Sequence, residues 1–413
     1  MRRKIKLLKQ ILIWVFFYAL MLINITNIII PNGMCLSVNK IGVNGNNNTV
    51  RSYEVGERVY SVDISSDGQI FVVGCREGYV YLFNSTKDTL LWNYTTQEDV
   101  DLVSISSDGQ YIIAGSDNGR VYLFNKFNST PLWYFFGAPY AVISSDGNYI
   151  AGGDWYYHNK LYFFNNTSGT PLWNFTMGDF LKSIAISSNG QYIVAGGWIN
   201  DKKVYLFGKD SPIPIWSYET GDGVYSVDIS ADGQYIVAGS RDHKLYLFNN
   251  TSNTPIWIYN AGEIVNYALI SSDGQYIAAG SWSGKKVYLF NNTSSTPFLN
   301  YSLGWSIRDL AISSNGQYIT VGTIDGNVHL FENVHPNPLW TYNTGVGLAT
   351  ISSNGQYIVA VGIEKVYLIP RTYIYIPYVN WTLSITLIVI FFVFLAISVY
   401  SFWYVVKNRV LSG

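Results

Sequence analysis

One pattern of hydrophobic and polar positions occurs eight times along this chain, with small variations. Each repeat begins with a run that alternates apolar and polar residues and ends in a serine-rich turn of the form S-S-D/N-G-Q/N. Runs of the form Y-I-x-A-G and V/L-Y-L-F-N follow. Alternation with a period of two is typical of β-strands that bury one face. The turn glycines are Gly68, Gly109, Gly147, Gly190, Gly233, Gly274, Gly316 and Gly355.

The fifth repeat shows how each unit divides into strands. Its predicted strands are Val224 to Ser230, Tyr235 to Ala238, Lys244 to Phe248 and Pro255 to Tyr259. Successive turn glycines lie roughly 40 residues apart, which is the repeat length of four-stranded propeller blades. The sequence therefore predicts an all-β protein, an eight-bladed β-propeller of four-stranded blades.

The last repeat lacks an outer strand of its own, because the chain leaves the pattern at Pro370. The segment from Val50 to Gly56 matches the end of the other outer strands and precedes the first repeat. We predict that this N-terminal strand closes the last blade, since closure removes an exposed sheet edge. The predicted propeller spans residues 49–370.

The repeated acidic residues before the turn glycines are interpreted as turn formers. Asp-Gly and Asn-Gly are favoured in hairpin turns because the glycine accepts a positive φ. A calcium role is the less favoured alternative, since each repeat offers one carboxylate and three repeats carry Asn189, Asn315 or Asn354 instead. The aspartates are Asp67, Asp108, Asp146, Asp232 and Asp273.

Two family resemblances follow from these motifs. The run from Val224 to Phe248 resembles the inner three strands of a WD-repeat blade. The outer motif T-P-L/I-W-x-Y-x-x-G resembles the tryptophan-docking segment of PQQ repeats in quinoprotein alcohol dehydrogenase-like propellers, which also tend to have eight blades. Leu299 replaces the tryptophan in repeat six, and the tryptophans are Trp92, Trp133, Trp173, Trp216, Trp257 and Trp340.

The chain also departs from both families. No Gly-His pair opens the repeats and no Trp-Asp pair ends the third strands, so the hydrogen-bond tetrad of many WD repeats cannot form in the same way. A quinoprotein dehydrogenase would be expected to hold a quinone with calcium, an aspartate base and often a disulfide of adjacent cysteines. Here only Cys35 and Cys75 occur. We expect Cys75 to be a small buried residue, with a Cys35–Cys75 disulfide as the alternative, and we expect no cofactor.

Two apolar segments predict a membrane location. Residues 1–30 form a signal anchor or a signal peptide, with basic residues before an apolar run from Ile11 to Ile30. Residues 383–406 contain no charge and precede Lys407, which predicts a transmembrane helix. Linkers are predicted at 31–48 and 371–382. The positive flanks place short tails, including 407–413, in the cytoplasm and the propeller on the extracellular side of the cell membrane.

Composition narrows the classes of partner. The net charge is −1 and only 13% of residues are charged, which argues against nucleic-acid binding. Asparagine sequons are frequent, as expected of a glycoprotein, although Asn, Ser and Thr are also common turn residues. The candidate N-glycosylation sites are Asn84, Asn93, Asn128, Asn166, Asn174, Asn250, Asn292 and Asn300.

The loops opposite the predicted membrane anchors are the candidate partner-binding face. They vary most between repeats, and variable loops on a rigid scaffold commonly carry recognition. Their exposed aromatic side chains suit a protein or glycan partner, with packing between neighbouring loops as the alternative role. The candidate residues are Asp154, Trp155, Tyr156, Trp198, Arg241, Asp242, Trp282 and Trp305.

Catalytic motifs are not found in the sequence. His158, His243, His329 and His335 fall in different repeats or loops, and no hydrolase, P-loop or zinc motif occurs. We therefore expect a non-catalytic binding or interaction scaffold with no catalytic or metal site. The alternative is a quinoprotein-like or hydrolytic cell-surface enzyme that uses the axial pocket.

Overall fold

The computed structural model describes residues 39–41, 49–154 and 159–372. They form eight antiparallel sheets: seven have four strands, and the eighth has five in the order β1-β2-β33-β32-β31. The eighth blade consists of β1 Asn39–Ile41, β2 Val50–Glu54, β31 Leu348–Ile351, β32 Tyr357–Val361 and β33 Lys365–Pro370.

The other blades follow one another in chain order. Blades 1 to 4 contain β3 Val59–Ile64, β4 Ile70–Cys75, β5 Tyr79–Asn84, β6 Thr89–Thr95, β7 Val100–Ile105, β8 Tyr111–Ser116, β9 Arg120–Asn125, β10 Asn128–Phe136, β11 Tyr140–Ile143, β12 Tyr149–Gly153, β13 Lys160–Asn165, β14 Trp173–Thr176, β15 Leu181–Ile186, β16 Tyr192–Gly197, β17 Lys203–Gly208 and β18 Pro214–Glu219, with a short 3-10 helix at Arg76–Gly78.

Blades 5 to 7 complete the propeller. They contain β19 Val224–Ile229, β20 Tyr235–Ser240, β21 Lys244–Asn249, β22 Ser252–Asn260, β23 Val265–Ile270, β24 Tyr276–Ser281, β25 Lys286–Asn291, β26 Leu299–Ser302, β27 Ile307–Ile312, β28 Tyr318–Thr323, β29 Asn327–Glu332 and β30 Trp340–Asn343. The predicted eight-bladed architecture is confirmed. The predicted four-stranded blades are confirmed, and β1 adds a fifth strand at the edge of the eighth sheet.

The N-terminal strand closes the propeller as predicted. Residues of β2 pair antiparallel with β33, for example Tyr53 with Val366. The Tyr53 ring is buried and lies 5.1 Å from the ring of Phe71 in blade 1. An extra strand was not predicted: β1, inside the expected linker, pairs with β2 through Ile41 and Val50.

The serine-rich turns have the predicted structure. In the first turn the Ser65 hydroxyl donates to Asp67 Oδ1 at 2.7 Å, and the same oxygen accepts the Gln69 amide at 2.9 Å. Gly68 has a φ of 75°, a conformation that favours glycine. The aspartates and asparagines of the other turns accept the same two hydrogen bonds, so they shape the turns.

The tryptophans fasten each blade to the next one. The Trp216 indole donates to the Asn250 carbonyl at 2.9 Å, and its ring centroid lies 5.3 Å from that of Phe248. The other five docking tryptophans donate in the same way to the following blade. Leu299, which replaces the tryptophan in blade 6, is buried. The outer strands therefore lock the propeller together at its circumference.

Aspartates join the inner strands of neighbouring blades. Asp228 Oδ1 accepts the Ile229 amide and Oδ2 accepts the Ile270 amide of blade 6, both at 2.9 Å. Asp63 and Asp309 make equivalent bonds between blades 1 and 2 and between blades 7 and 8. Burial raises the pKa of each of these three carboxyls to about 6. These bridges hold the inner ring of strands.

Other predictions can be placed relative to the described residues. Cys75 is buried with a free thiol whose pKa is raised by burial to about 12, while Cys35 lies outside the described residues. Both predicted membrane segments, 11–30 and 383–406, also lie outside them. Within the described ranges no helix is long and apolar enough to cross a bilayer.

Candidate binding surface at the top face

Each blade contributes its loops to two opposite faces. We call the face formed by the loops between second and third strands and by the connections between blades the top face. The bottom face carries the turns between first and second strands and the loops between third and fourth strands. The top face holds the described candidate residues Asp154, Trp198, Arg241, Asp242, Trp282 and Trp305, whereas Trp155 and Tyr156 lie outside the described residues.

The candidate residues differ in how accessible they are. Trp282 and Trp305 are 47% and 51% exposed, so both offer aromatic surface. Trp198 and Arg241 are half-buried. Asp154 is buried at 4% exposure, and it lines a cavity. The two exposed tryptophans are therefore the candidate residues that a large partner reaches most directly.

Asp242 fastens its own loop. Its carboxylate accepts hydrogen bonds from the Tyr246 hydroxyl, the Gly221 amide at 2.8 Å and the Lys244 amide at 3.1 Å. Asp201 of blade 4 is bonded similarly to the Tyr205 hydroxyl at 2.6 Å. Burial and the neighbouring aspartate raise the pKa of both tyrosines, which keeps the phenols protonated as donors. These Tyr–Asp pairs fasten the loops between the second and third strands of blades 4 and 5.

Sequence reasoning missed a ring of residues around the inner strands. In six blades the first strand contains a β-bulge, which leaves its second residue out of register with the neighbouring strand. Bulges re-aim side chains and are over-represented next to functional sites. The bulged residues are Tyr60, Asp101, Lys182, Tyr225, Asn266 and Arg308, and none is fully buried.

A signal for this ring was present in the repeats. The residue before the bulge is always Val, Leu or Ile, whereas the bulged position changes between aromatic, acidic, basic and amide residues. Aligning the repeats at their turn glycines isolates that position. Variation at a fixed place on a repeated scaffold indicates recognition more than packing.

Two bulged residues, Lys182 and Tyr225, belong to a cation–aromatic cluster. The Lys182 ammonium lies 5.2 Å from the Trp198 ring centroid and 5.6 Å from that of Tyr225. The two rings meet edge to face at 4.9 Å. Burial lowers the pKa of Lys182. This cluster links a predicted residue, Trp198, with two residues that the sequence did not single out.

A cavity of about 800 Å³ opens on the top face across blades 1 to 3. Its lining includes aromatic side chains and three carboxylates. Burial and the nearby Asp117 raise the pKa of Asp101 to about 6. The cavity offers aromatic surface beside negative charge, and its lining includes Tyr60, Asp101, Asp117, Phe136, Tyr140 and Asp154.

The described histidines lie apart from this cavity. His329 Nδ1 lies 2.8 Å from the Thr341 hydroxyl inside blade 7, and burial lowers the pKa of His329. His335 Nε2 lies 3.3 Å from Glu332 in a bottom loop. His243 is exposed in the loop between β20 and β21, and His158 lies outside the described residues. Over the described ranges, no group of three or more His, Cys, Asp or Glu side chains is arranged to hold a metal ion.

The fold and the sequence matches show which known proteins this chain resembles. The described residues form an eight-bladed β-propeller. Segments 47–84, 90–125, 213–249 and 299–332 match the WD40 family, described as WD domain, G-beta repeat. These four segments are therefore similar to WD40 repeats, and WD40 propellers commonly serve as protein-interaction scaffolds. A search of curated proteins finds no match.

Solved structures with low sequence identity share this fold. The computationally designed Ika8 protein superposes with a TM-score of 0.65 at 13% identity, covering 77% of this chain and 97% of that protein's chain. The C-terminal WD40 domain of Sif2 superposes with a TM-score of 0.65 at 18% identity and the same coverage. At these identities the likeness concerns the fold alone.

Proposed function

We propose that this protein is a membrane-anchored extracellular propeller that binds a protein or glycan partner through its top face and performs no chemistry of its own. The ring of bulged residues carries this proposal, because it sets six side chains of five types at equivalent positions on the inner strands. Trp282 and Trp305 add two exposed indoles to the same face, and tryptophan is enriched at interface hot spots. Glycosylation of at least some of the sequons belongs to the same proposal.

Proximity crosslinking on intact cells tests the top face. The test variant combines Trp282→Ala, Trp305→Ala and Lys182→Ala. The control is Tyr134→Ala, because Tyr134 is an aromatic residue 59% exposed on an outer strand rather than on the top face. We expect the captured partners to be lost in the test variant and kept in the control. Unchanged capture in the test variant would contradict top-face binding.

A surface enzyme is the second candidate, and one observation favours it. Asp101 has a pKa near 6 beside an open cavity, as a general base requires. The resemblance to PQQ repeats suggests a quinone cofactor with calcium for such an enzyme. Purified full-length protein would then bind calcium and a quinone and oxidise alcohols, or it would hydrolyse a substrate, with the activity lost in Asp101→Asn. We expect neither activity.

A further inference from the structure

The bottom face carries the most exposed hydrophobic side chains of the described residues. Phe127, Ile213 and Val334 are 79%, 74% and 72% exposed, more than any other large hydrophobic residue there. All three lie between a third and a fourth strand, after β9, β17 and β29. Isolated exposed apolar residues are common on protein surfaces. Here the three most exposed ones occupy the same type of loop on the same face.

These three loops are spread around the propeller. They belong to blades 2, 4 and 7, so one, two and two blades separate them in turn. We call Phe127, Ile213 and Val334 the tripod, because they form three separate contacts rather than one continuous patch. A protein partner that buried one of these side chains would leave the other two exposed, whereas a flat surface contacts all three at once.

Basic and aromatic groups accompany the tripod. The Lys126 ammonium lies 5.0 Å from the Phe127 ring centroid. The Arg371 guanidinium lies 4.5 Å from the ring of Tyr318, where the second strand of blade 7 starts at the bottom face. Basic and amphipathic aromatic side chains are characteristic of the headgroup region of bilayers.

The ends of the propeller leave from the same face. The Arg371 amide donates to the Gln356 carbonyl at 2.8 Å, which places the end of β33 beside a bottom turn. Arg51 of β2, at the N-terminal end of the propeller, pairs with Leu368 of β33. Ten residues, 373–382, separate Thr372 from the apolar segment at 383–406. Fully extended, they reach about 35 Å, so an anchored propeller keeps its bottom face near the bilayer.

We propose that Phe127, Ile213 and Val334 insert into the membrane interface and seat the bottom face on the lipid surface. This inference rests on the proposed membrane anchoring and adds the orientation of the propeller. The partner of the tripod is a lipid bilayer. Seating directs the top face away from the membrane and restricts the tilt of the propeller.

This membrane-bound orientation, which we call the seat, also divides the candidate glycosylation sites into two groups. Asn84, Asn166, Asn250 and Asn292 stand in or beside bottom loops, where a glycan would hold the face off the membrane. The side-chain amides of Asn166 and Asn292 already donate to the carbonyls of Gly147 and Gly274, both at 3.0 Å. A glycan on Asn128, next to Phe127, is incompatible with the seat for the same reason. Glycans are therefore expected on Asn93, Asn174 and Asn300, which are exposed within outer strands.

Fluorescence quenching in vesicles tests the seat. The full-length protein with Cys35→Ser is reconstituted in phosphatidylcholine vesicles, and Phe127→Cys, Ile213→Cys or Val334→Cys is labelled with an environment-sensitive fluorophore. The control is Ile363→Cys, since Ile363 is 65% exposed in a top loop. Lipids with a spin label on the acyl chain are then added to the bilayer. We expect quenching at each tripod position at least about twofold greater than at the control.

Flotation separates the two hypotheses. Protein that floats with the vesicles and is quenched at the tripod supports both anchoring and the seat. Protein that floats but is quenched equally at all four positions overturns the seat and leaves anchoring intact. Protein that does not float overturns anchoring, and the seat with it. Mapping of glycans on cell-derived protein is independent: glycans on Asn84, Asn128, Asn166, Asn250 or Asn292 would contradict the seat.

Discussion

Single residues with backbone partners connect neighbouring blades. The docking tryptophans and the inner-strand aspartates are each bonded to a backbone group of the next blade. Backbone partners do not depend on a particular side chain in the neighbouring repeat. This explains why one sequence motif joins blades that differ elsewhere.

A docking tryptophan makes a measurable contribution. Trp216→Leu removes the bond to the Asn250 carbonyl and part of a buried ring. We expect a loss of about 2–3 kcal/mol in the free energy of unfolding, measured by denaturant titration. Trp282→Leu is the control, because that indole is 47% exposed on the top face. An equal loss in the two variants would show that the docking bond is not the cause.

The inner aspartates predict a pH dependence. The folded pKa of Asp228 is raised to about 6, above its unfolded value of about 3.9. Folded protein therefore binds more protons, so this contribution to stability is complete below about pH 4 and is lost as pH rises through 6. The Asp228→Asn substitution removes this pH-dependent contribution to stability. We expect the stability difference between native protein and variant to shrink from pH 4 to pH 7 in thermal unfolding. A difference that grew with pH would contradict the sign.

Among the elements, the closing strand β2 completes the ring of blades. β2 pairs with β33 and buries Tyr53 between blades 8 and 1. Tyr53→Ala leaves a cavity there, and we expect a loss of about 3–5 kcal/mol in unfolding free energy. Tyr134→Ala, in an exposed position, serves as the control. Closure by another segment would be indicated if the two variants were equally stable.

Some elements were predictable from sequence and others were not. Alternation and Gly turns predicted the strands of blade 5 to within a few residues, because local patterns set strand and turn positions. β1 was missed, since Asn39–Ile41 has no repeat counterpart and becomes a strand only by pairing with β2. The bulges were missed as well, because a bulge is defined by the register between two strands.

At the scale of the whole molecule, topology is the open prediction. Protease added to intact cells, or to wall-stripped cells, is expected to cut propeller loops or the Asn44–Asn48 linker and to spare an epitope tag on the C-terminal tail. We expect this because basic residues beside transmembrane segments favour the cytoplasmic side of the membrane. Immunoblotting of the fragments provides the readout. Cleavage of the propeller only after permeabilisation would invert the topology.

The sequence by itself determined the repeat, the number of blades, the turns and the closing strand. These features follow from local hydrophobic periodicity and turn chemistry, which a repeated motif displays eight times. Only the tertiary structure decided which side chains meet. It buried Asp154, engaged Asp242 with Tyr246, gathered Lys182, Trp198 and Tyr225, and placed three apolar loops on one face. Contacts between blades join residues far apart in the chain, so no local pattern encodes them.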